Sequence, residues 1–345
     1  MSSSYVRGCG IHNTFNRAVN VHGTHNVLIE HTVIYKIMGG AFFLEDGVET
    51  ENIFQYNLGV AVMASTSLLN DDITPATFWV TNPNNIIQHN AAVGGTHFGY
   101  WYRMHDHPDG PSFDPNICPK HVPLGIFRNN TAHSFGWFGL WIFHDYTPRE
   151  DGSCDSGAAF MVAVFQSLTA WNCEKGAEGV NVGTVQYNDF ILVNNEKAGY
   201  EGKLVIETNP YDVNEGYAVK NSIIVARSQH LEKQPGWPSS GSGCTVGGIV
   251  LPYGSGFMVS GVKFYNFDEA TCQAFTFTKI DGTCSNLCGG FNYKFQDIEY
   301  DTPTQSRRVK FEWLHQGVLI DVDGTFSGMT AGTSIIPTMP TQPPE

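Results

Sequence analysis

Four stretches of this chain decide its fold when set beneath one another: IEHTVIYKIMGGAFFLE (29–45), IQHNAAVGGTHFGYWYR (87–103), FRNNTAHSFGWFGLWIF (127–143) and FQSLTAWNCEKGAEGVN (165–181). Each opens on an apolar anchor, Ile29, Ile87, Phe127 or Phe165, and runs on through polar positions rich in Asn and His. Twelve residues past the anchor stands a small residue, Ala41, Gly99, Gly139 or Ala177, followed mostly by apolar ones. VRGCGIHNTFNRAVNVH (6–22) joins the set through Ala18, and shorter matches open at Phe54, Leu192 and Val219. The closest anchors recur at roughly 23 to 27 residues, about one coil of a three-sided solenoid. Apolar side chains would then fill the inside of each coil while Asn side chains bond along the turns. A leucine-rich repeat would need a recurring Leu and Asn frame, and a propeller would need longer units. The expected fold is all-β, a right-handed parallel β-helix with loop insertions.

The insertions follow from the longer intervals: 33 residues from Phe54 to Ile87, 40 on to Phe127 and 38 on to Phe165. The surplus falls at Met104 to Gly125 and at His144 to Ala163, just after the aligned strand. The shorter surplus, Ser65 to Asn85, is expected near the same corner. The repeats are clear over 6–226 and less regular over 227–329, so 1–329 reads as one β-helix region. The Thr- and Pro-rich end, 330–345, reads as a linker or cut edge.

Composition agrees. Hydrophobic residues make up 41% and charged ones only 15%, enough to bury a core, and 37 glycines with 17 prolines imply many turns. The formal net charge is −14 with only 19 Lys and Arg, which excludes a nucleic-acid binder and disfavours polyanionic glycans. No apolar run is long enough to enter a membrane. Eight cysteines in no zinc-like spacing lean toward disulfides and an oxidising compartment. Cys118 and Cys154 lie in two of the insertions and form the preferred pair. Cys284 with Cys288 would close a small loop, and Cys244 with Cys272 is a third pairing. Asn129-Asn130-Thr131 is a glycosylation acceptor.

FNRAVNVHGTHN (15–26), MGGAFFLEDGVE (38–49), STSLLNDDITPATFWVTNPNN (65–85), GTHFGYWYRM (95–104), HPDGPS (107–112), VPLGIFRNNTAHS (122–134) and LIDVDGTFSG (319–328) resemble, in this order, the fibrocystin family. The wider family includes G8-containing hyaluronidases. The resemblance covers nearly the whole chain and implies a parallel β-helix that follows a G8 domain, itself not evident here. It implies an extracellular, cell-surface segment of a larger membrane-anchored glycoprotein. It also splits the function: the hyaluronidases are tied to glycan cleavage, the fibrocystin side to coat or receptor-like roles. The hyaluronidases carry Gly-His ahead of the small and aromatic residues, whereas this chain has Gly39-Gly40, which places it on the fibrocystin side.

The candidate site comes from the repeat itself. Sixteen residues beyond the anchors stand His22, Glu45, Arg103, Phe143 and Asn181, so stacked coils place His22 beside Glu45, with Arg103 about two coils along. His25, Asp46, Glu49, His105, His107 and Asp109 lie nearby in sequence. Such a polar column, bordered by long loops, suits binding of an extracellular protein or glycan. As an enzyme of hyaluronidase type it would use Glu45, Asp46, His22 and Arg103, with paired carboxylates as acid and base. The plainer reading is that strand-end charges pair and cap a corner, as Glu45 with Arg103 would. No cofactor is implied, though paired carboxylates there are able to hold Ca²⁺. The pairs His22/His25 and His105/His107 lack a third metal ligand at fixed spacing and read first as turn hydrogen-bonders. Asp321-Val-Asp323-Gly324 opens like a calcium loop but has Gly332 where the closing Glu belongs, so it reads as a β-turn. Outward members of Phe42, Phe43, Tyr100, Trp101, Leu140 and Trp141 would be free to stack on sugars.

Overall fold

The computed structural model describes residues 4–66, 70–155, 157–206, 208, 212–228, 243–279, 288–302, 309 and 315–336. The anchors form one inward column: Val6 pairs with Ile29, then Phe54, Ile87, Phe127 and Phe165, every pairing parallel. Tyr187, Val219, Val259 and Phe295 continue it. From Ile29 onward each of these is at most 1% exposed, which is why each coil must begin on an apolar residue. The chain is a parallel β-helix.

After each anchor the strand bends through one residue in the left-handed region. His31, Tyr56, His89, Asn129, Ser167, Asp189 and Asn221 occupy that corner, all with φ between 47 and 58°. Asn and Asp tolerate this conformation well, and Asn129, Asp189 and Asn221 stand there. Just beyond, Asn57 donates to Asn90 Oδ1 (3.1 Å) and Asn90 to Asn130 Oδ1 (3.3 Å), a buried ladder down the stack. Their amides also bond the carbonyls of Ile29, Phe54 and Ile87, so the polar column inside the core is satisfied.

The third wall is a nine-stranded parallel sheet that includes Val19–Val21, Phe42–Leu44, Ala76–Val80, Phe98–Tyr102, Phe138–Tyr146, Lys175–Val182 and Ala198–Val205. At its start lies a column of glycines. A Cβ on Gly99, Gly139, Gly176 or Gly199 would sit 2.5–2.6 Å from the carbonyl oxygen of the next coil. Small residues recur twelve past the anchor for this reason.

Three expectations need correction. Ala177 pairs with Leu140, so Gly176, not Ala177, is the counterpart of Gly139. The coil from Phe165 is one residue shorter than its neighbour up to this point, which the alignment could not register. Leu192 pairs with Ala170 and lies in the second inward column, while the true anchor of its coil is Tyr187. The insertions also part company. Residues 103–125 and 147–162 leave the C-terminal ends of Phe98–Tyr102 and Phe138–Tyr146, but 64–75 precedes Ala76–Val80 at another corner.

Thr333–Ile335 pairs antiparallel with His315–Asp321. Phe326 is 2% exposed and stacks on Phe295 at 4.2 Å. Asp321, fully buried, accepts from the backbone of Gly324, Phe326 and Ser327, so the calcium-like opening is a turn. Cys118 is bonded to Cys154 (Cα–Cα 5.2 Å) and Cys244 to Cys272 (6.2 Å). The pairing of Cys284 with Cys288 lies outside the described residues. No helix among the described residues is long and apolar enough to cross a membrane.

Candidate functional site

The polar cluster sits where the strands Val19–Val21, Phe42–Leu44 and Phe98–Tyr102 end. Parallel pairing of Val21 with Leu44 sets His22 beside Glu45, and pairing of Tyr102 with Val80 carries Arg103 past the intervening Thr81. His22 is the hub. Its Nδ1 lies 3.2 Å from Glu45 Oε2 and 3.3 Å from Asp46 Oδ2, while about half of its side chain faces solvent.

Both carboxylates are fixed from behind. Arg17 holds Glu45 Oε1 at 2.6 Å and Asp72 Oδ1 at 3.0 Å, and its guanidinium lies 3.7 Å over the Phe43 ring. Asn20 donates to Glu45 Oε2 at 2.6 Å. Burial raises the Glu45 pKa, but the hydrogen bonds from Asn20 and Arg17 outweigh it and hold the carboxyl below its ordinary range. Asp46, nearly buried, accepts from Ser112 Oγ at 2.6 Å, and its carbonyl accepts from the Asp109 amide at 2.9 Å. The 103–125 insertion thus folds back along the stack and latches onto an earlier coil.

Arg103 lies 5.4 Å from the Trp79 ring centroid and within ion-pair reach of Asp109, which also holds His105 Nε2 at 3.2 Å. Lys120 pairs with Asp106 and draws that carboxyl below its usual range. Glu45 and Arg103 do not pair with each other: Arg17 takes Glu45, and Asp109 lies against Arg103.

Three predicted site residues fall outside the cluster. Glu49 is fully buried and accepts from the amides of Gly23, Asp46 and Gly47, so it shapes the turn. His25 Nδ1 accepts from the Thr50 amide at 3.1 Å, also a turn role. His107 sits against Ile117 O at 3.0 Å beside the Cys118–Cys154 bridge. Arg17, Asn20, Asp72 and Ser112 were not foreseen. Of these only Asn20 had a signal, since it occupies the outward column that holds Phe43 and Trp79 in later coils.

That outward column differs from expectation. Phe43, Trp79 and Trp101 face away from the core, yet they are 1, 1 and 5% exposed, under a cover that includes the two arginines. They are unavailable for stacking on sugars. Trp141 and Phe143 remain half-exposed, stacked at 4.5 Å. Next along the column the face turns charged: Trp141 Nε1 donates to Glu178, and Lys175 bridges Glu178 and Glu201. Burial lowers the Lys175 pKa, but the two carboxylates outweigh it and keep the ammonium charged.

The β-helix family model described as CEMIP beta-helix matches residues 1–140. Fibrocystin-L of Mus musculus is 52% identical over 97% of this chain, and that of Homo sapiens 53% over the same share. The chain spans 8% of the length of each. The human cell surface hyaluronidase CEMIP2 is 29% identical over 76% of this chain, which spans 22% of its length. With more than half its residues shared along nearly its entire length, the chain belongs to the fibrocystin-L family, as a parallel β-helix segment related at greater distance to the cell-surface hyaluronidases.

Proposed function

We propose that the chain is a non-enzymatic, extracellular module of a large membrane-anchored surface protein of coat or receptor-like kind. It gives rigid length and offers the cluster around His22, Glu45, Asp46 and Arg103 to a protein or glycan partner. A solenoid suits this role because added coils lengthen the rod without enlarging the core. Asn129, exposed at its corner, is the expected glycan acceptor.

One observation carries the choice of binding over glycan cleavage. The Glu45 and Asp46 carboxylates both turn onto one imidazole nitrogen, at 3.2 and 3.3 Å. Glycosidase carboxylates instead flank the bond they cut, one on each side of it. A sugar cannot enter between two groups that share a hydrogen-bond partner. Glu45 is also held ionised, which unsuits it as a general acid. At Gly40, where the hyaluronidases were expected to carry His, a Cβ would meet the Phe43 ring at 2.6 Å.

The second reading, a hyaluronan-cleaving enzyme, is favoured by the relative named a cell surface hyaluronidase. The two separate on incubation of the purified chain with labelled hyaluronan, with and without Ca²⁺, beside an active control enzyme. No depolymerisation is expected. Cleavage that disappears in Glu45→Gln would overturn the binding reading.

A further inference from the structure

We propose that His22, Glu45 and Asp46 form a divalent metal site for an ion of the Zn²⁺ class. Three observations point there. His22 Nδ1, one Glu45 oxygen and one Asp46 oxygen lie together, no pair more than 4.8 Å apart, so small side-chain shifts bring all three onto one ion. The two carboxylate oxygens converge on a single point, the His22 Nδ1 position, at 3.2 and 3.3 Å. Arg17, the nearest fixed cation, occupies the other oxygen of Glu45 instead.

The support behind the donors is what a metal site requires. Asn20 and Arg17 orient Glu45, and Ser112 orients Asp46, so neither carboxylate has to be recruited when an ion arrives. The strands beneath fix the spacing, since His22 and Glu45 extend paired strands and Asp46 follows directly. His22 is half-exposed, which leaves an entry path and room for water as a fourth ligand. The local charge is negative, with Glu45, Asp46 and Asp72 set against Arg17.

The donor set decides the class of ion. One imidazole nitrogen with two carboxylate oxygens suits Zn²⁺ and its first-row neighbours, whereas Ca²⁺ prefers six to eight oxygens. Paired carboxylates alone are able to hold Ca²⁺, and the imidazole beside them moves the preference to the Zn²⁺ class. The second cluster of metal-ligating types, His107 with Cys118 and Cys154, has both its sulfurs in the disulfide and offers no thiolate.

The test needs no partner molecule, so its failure would leave the proposed function standing. The oxidised chain is dialysed against Zn²⁺ and its bound metal measured, and the Co²⁺ form is read by its visible d–d bands. One saturable equivalent is expected, with a tetrahedral Co²⁺ spectrum. His22→Ala, a change at a half-exposed side chain, should weaken binding at least ~10-fold, and Asp46→Asn likewise. His25→Ala, whose ring serves the Thr50 turn, should bind as the parent does. Absence of a saturable equivalent, binding unchanged in His22→Ala, or binding lost in His25→Ala would each overturn the assignment.

Discussion

Replacing Gly139 by Ala tests the packing rule that governs the third wall. A Cβ there would lie 2.5 Å from the Gly176 carbonyl oxygen, 3.0 Å from Ala170 Cβ and 3.4 Å from Ala132 Cβ. Carbon and oxygen approach comfortably at about 3.3 Å or more, so the added methyl is short of room by nearly 1 Å on the backbone side. Neither partner can yield cheaply. The Gly176 carbonyl belongs to the next coil, whose spacing of about 4.8 Å is set by the interstrand ladder, and the two alanines are core residues. Overpacking of this kind costs about 1–3 kcal/mol, and a backbone obstacle places it at the upper end. Reduced entropy of the unfolded chain returns about 0.4–1 kcal/mol. A net loss of about 2 kcal/mol follows, roughly a thirtyfold fall in the folded-to-unfolded ratio. Urea denaturation followed by tryptophan fluorescence and circular dichroism would measure it. The matched control is Gly10→Ala, where nothing lies within 4 Å and φ is not positive, so its change should stay within about 0.5 kcal/mol. If Gly139→Ala and Gly10→Ala unfold at the same urea concentration, the close-approach account of the glycine column is wrong.

Removing the buried ring in Phe326→Ala should cost about 3–5 kcal/mol by the same denaturation assay, because it leaves a cavity against Phe275 and Phe295; a loss below about 1 kcal/mol would show that this ring is not part of the packed core. Converting both Cys118 and Cys154 to Ala should lower stability by up to about 4 kcal/mol for a bridge spanning 36 residues. It should also open the 103–125 insertion to limited proteolysis, and an unchanged cleavage pattern would refute the tether. The depressed Glu45 carboxyl contributes stability that is present above its ordinary value of about 4.5 and is lost as pH falls through the folded value. The parent should therefore exceed Glu45→Gln in stability at neutral pH, with the gap closing in acid; a gap that widens in acid would reverse the assigned shift.

Much of the fold was legible because one position in each coil admits only one kind of residue. Ile29, Phe54, Ile87, Phe127 and Phe165 point into the core, and no polar side chain could stand there without a partner. The errors arose where a second column imitates the first. Leu192 opens LVNN as Phe127 opens FRNN, since both walls after the anchor carry an inward apolar residue followed by Asn. Coil phase was lost at Ala177, because a one-residue deletion between anchor and glycine leaves both motifs intact. The site divided along the same line. His22 beside Glu45 followed from equal offsets in adjacent coils, whereas Arg17 precedes its strand and Ser112 arrives from an insertion, neither bound to the repeat.

Ser112 also shows that the cluster is not the property of the sheet alone. The bridge from Cys118 to Cys154 joins the insertions of two consecutive coils. Backbone bonds from Thr147 to Lys120 (2.9 Å) and from Arg149 to His121 (2.8 Å) run beside it, so the two loops make one wall. The near end of that wall reaches Asp46 through the Ser112 hydroxyl and the Asp109 amide. Sheet register therefore fixes His22 and Glu45, while the orientation of Asp46 depends on loops locked covalently two coils away. Reduction of the bridge should consequently be felt first at Asp46 and hardly at Glu45, whose partners Arg17 and Asn20 belong to the first coil.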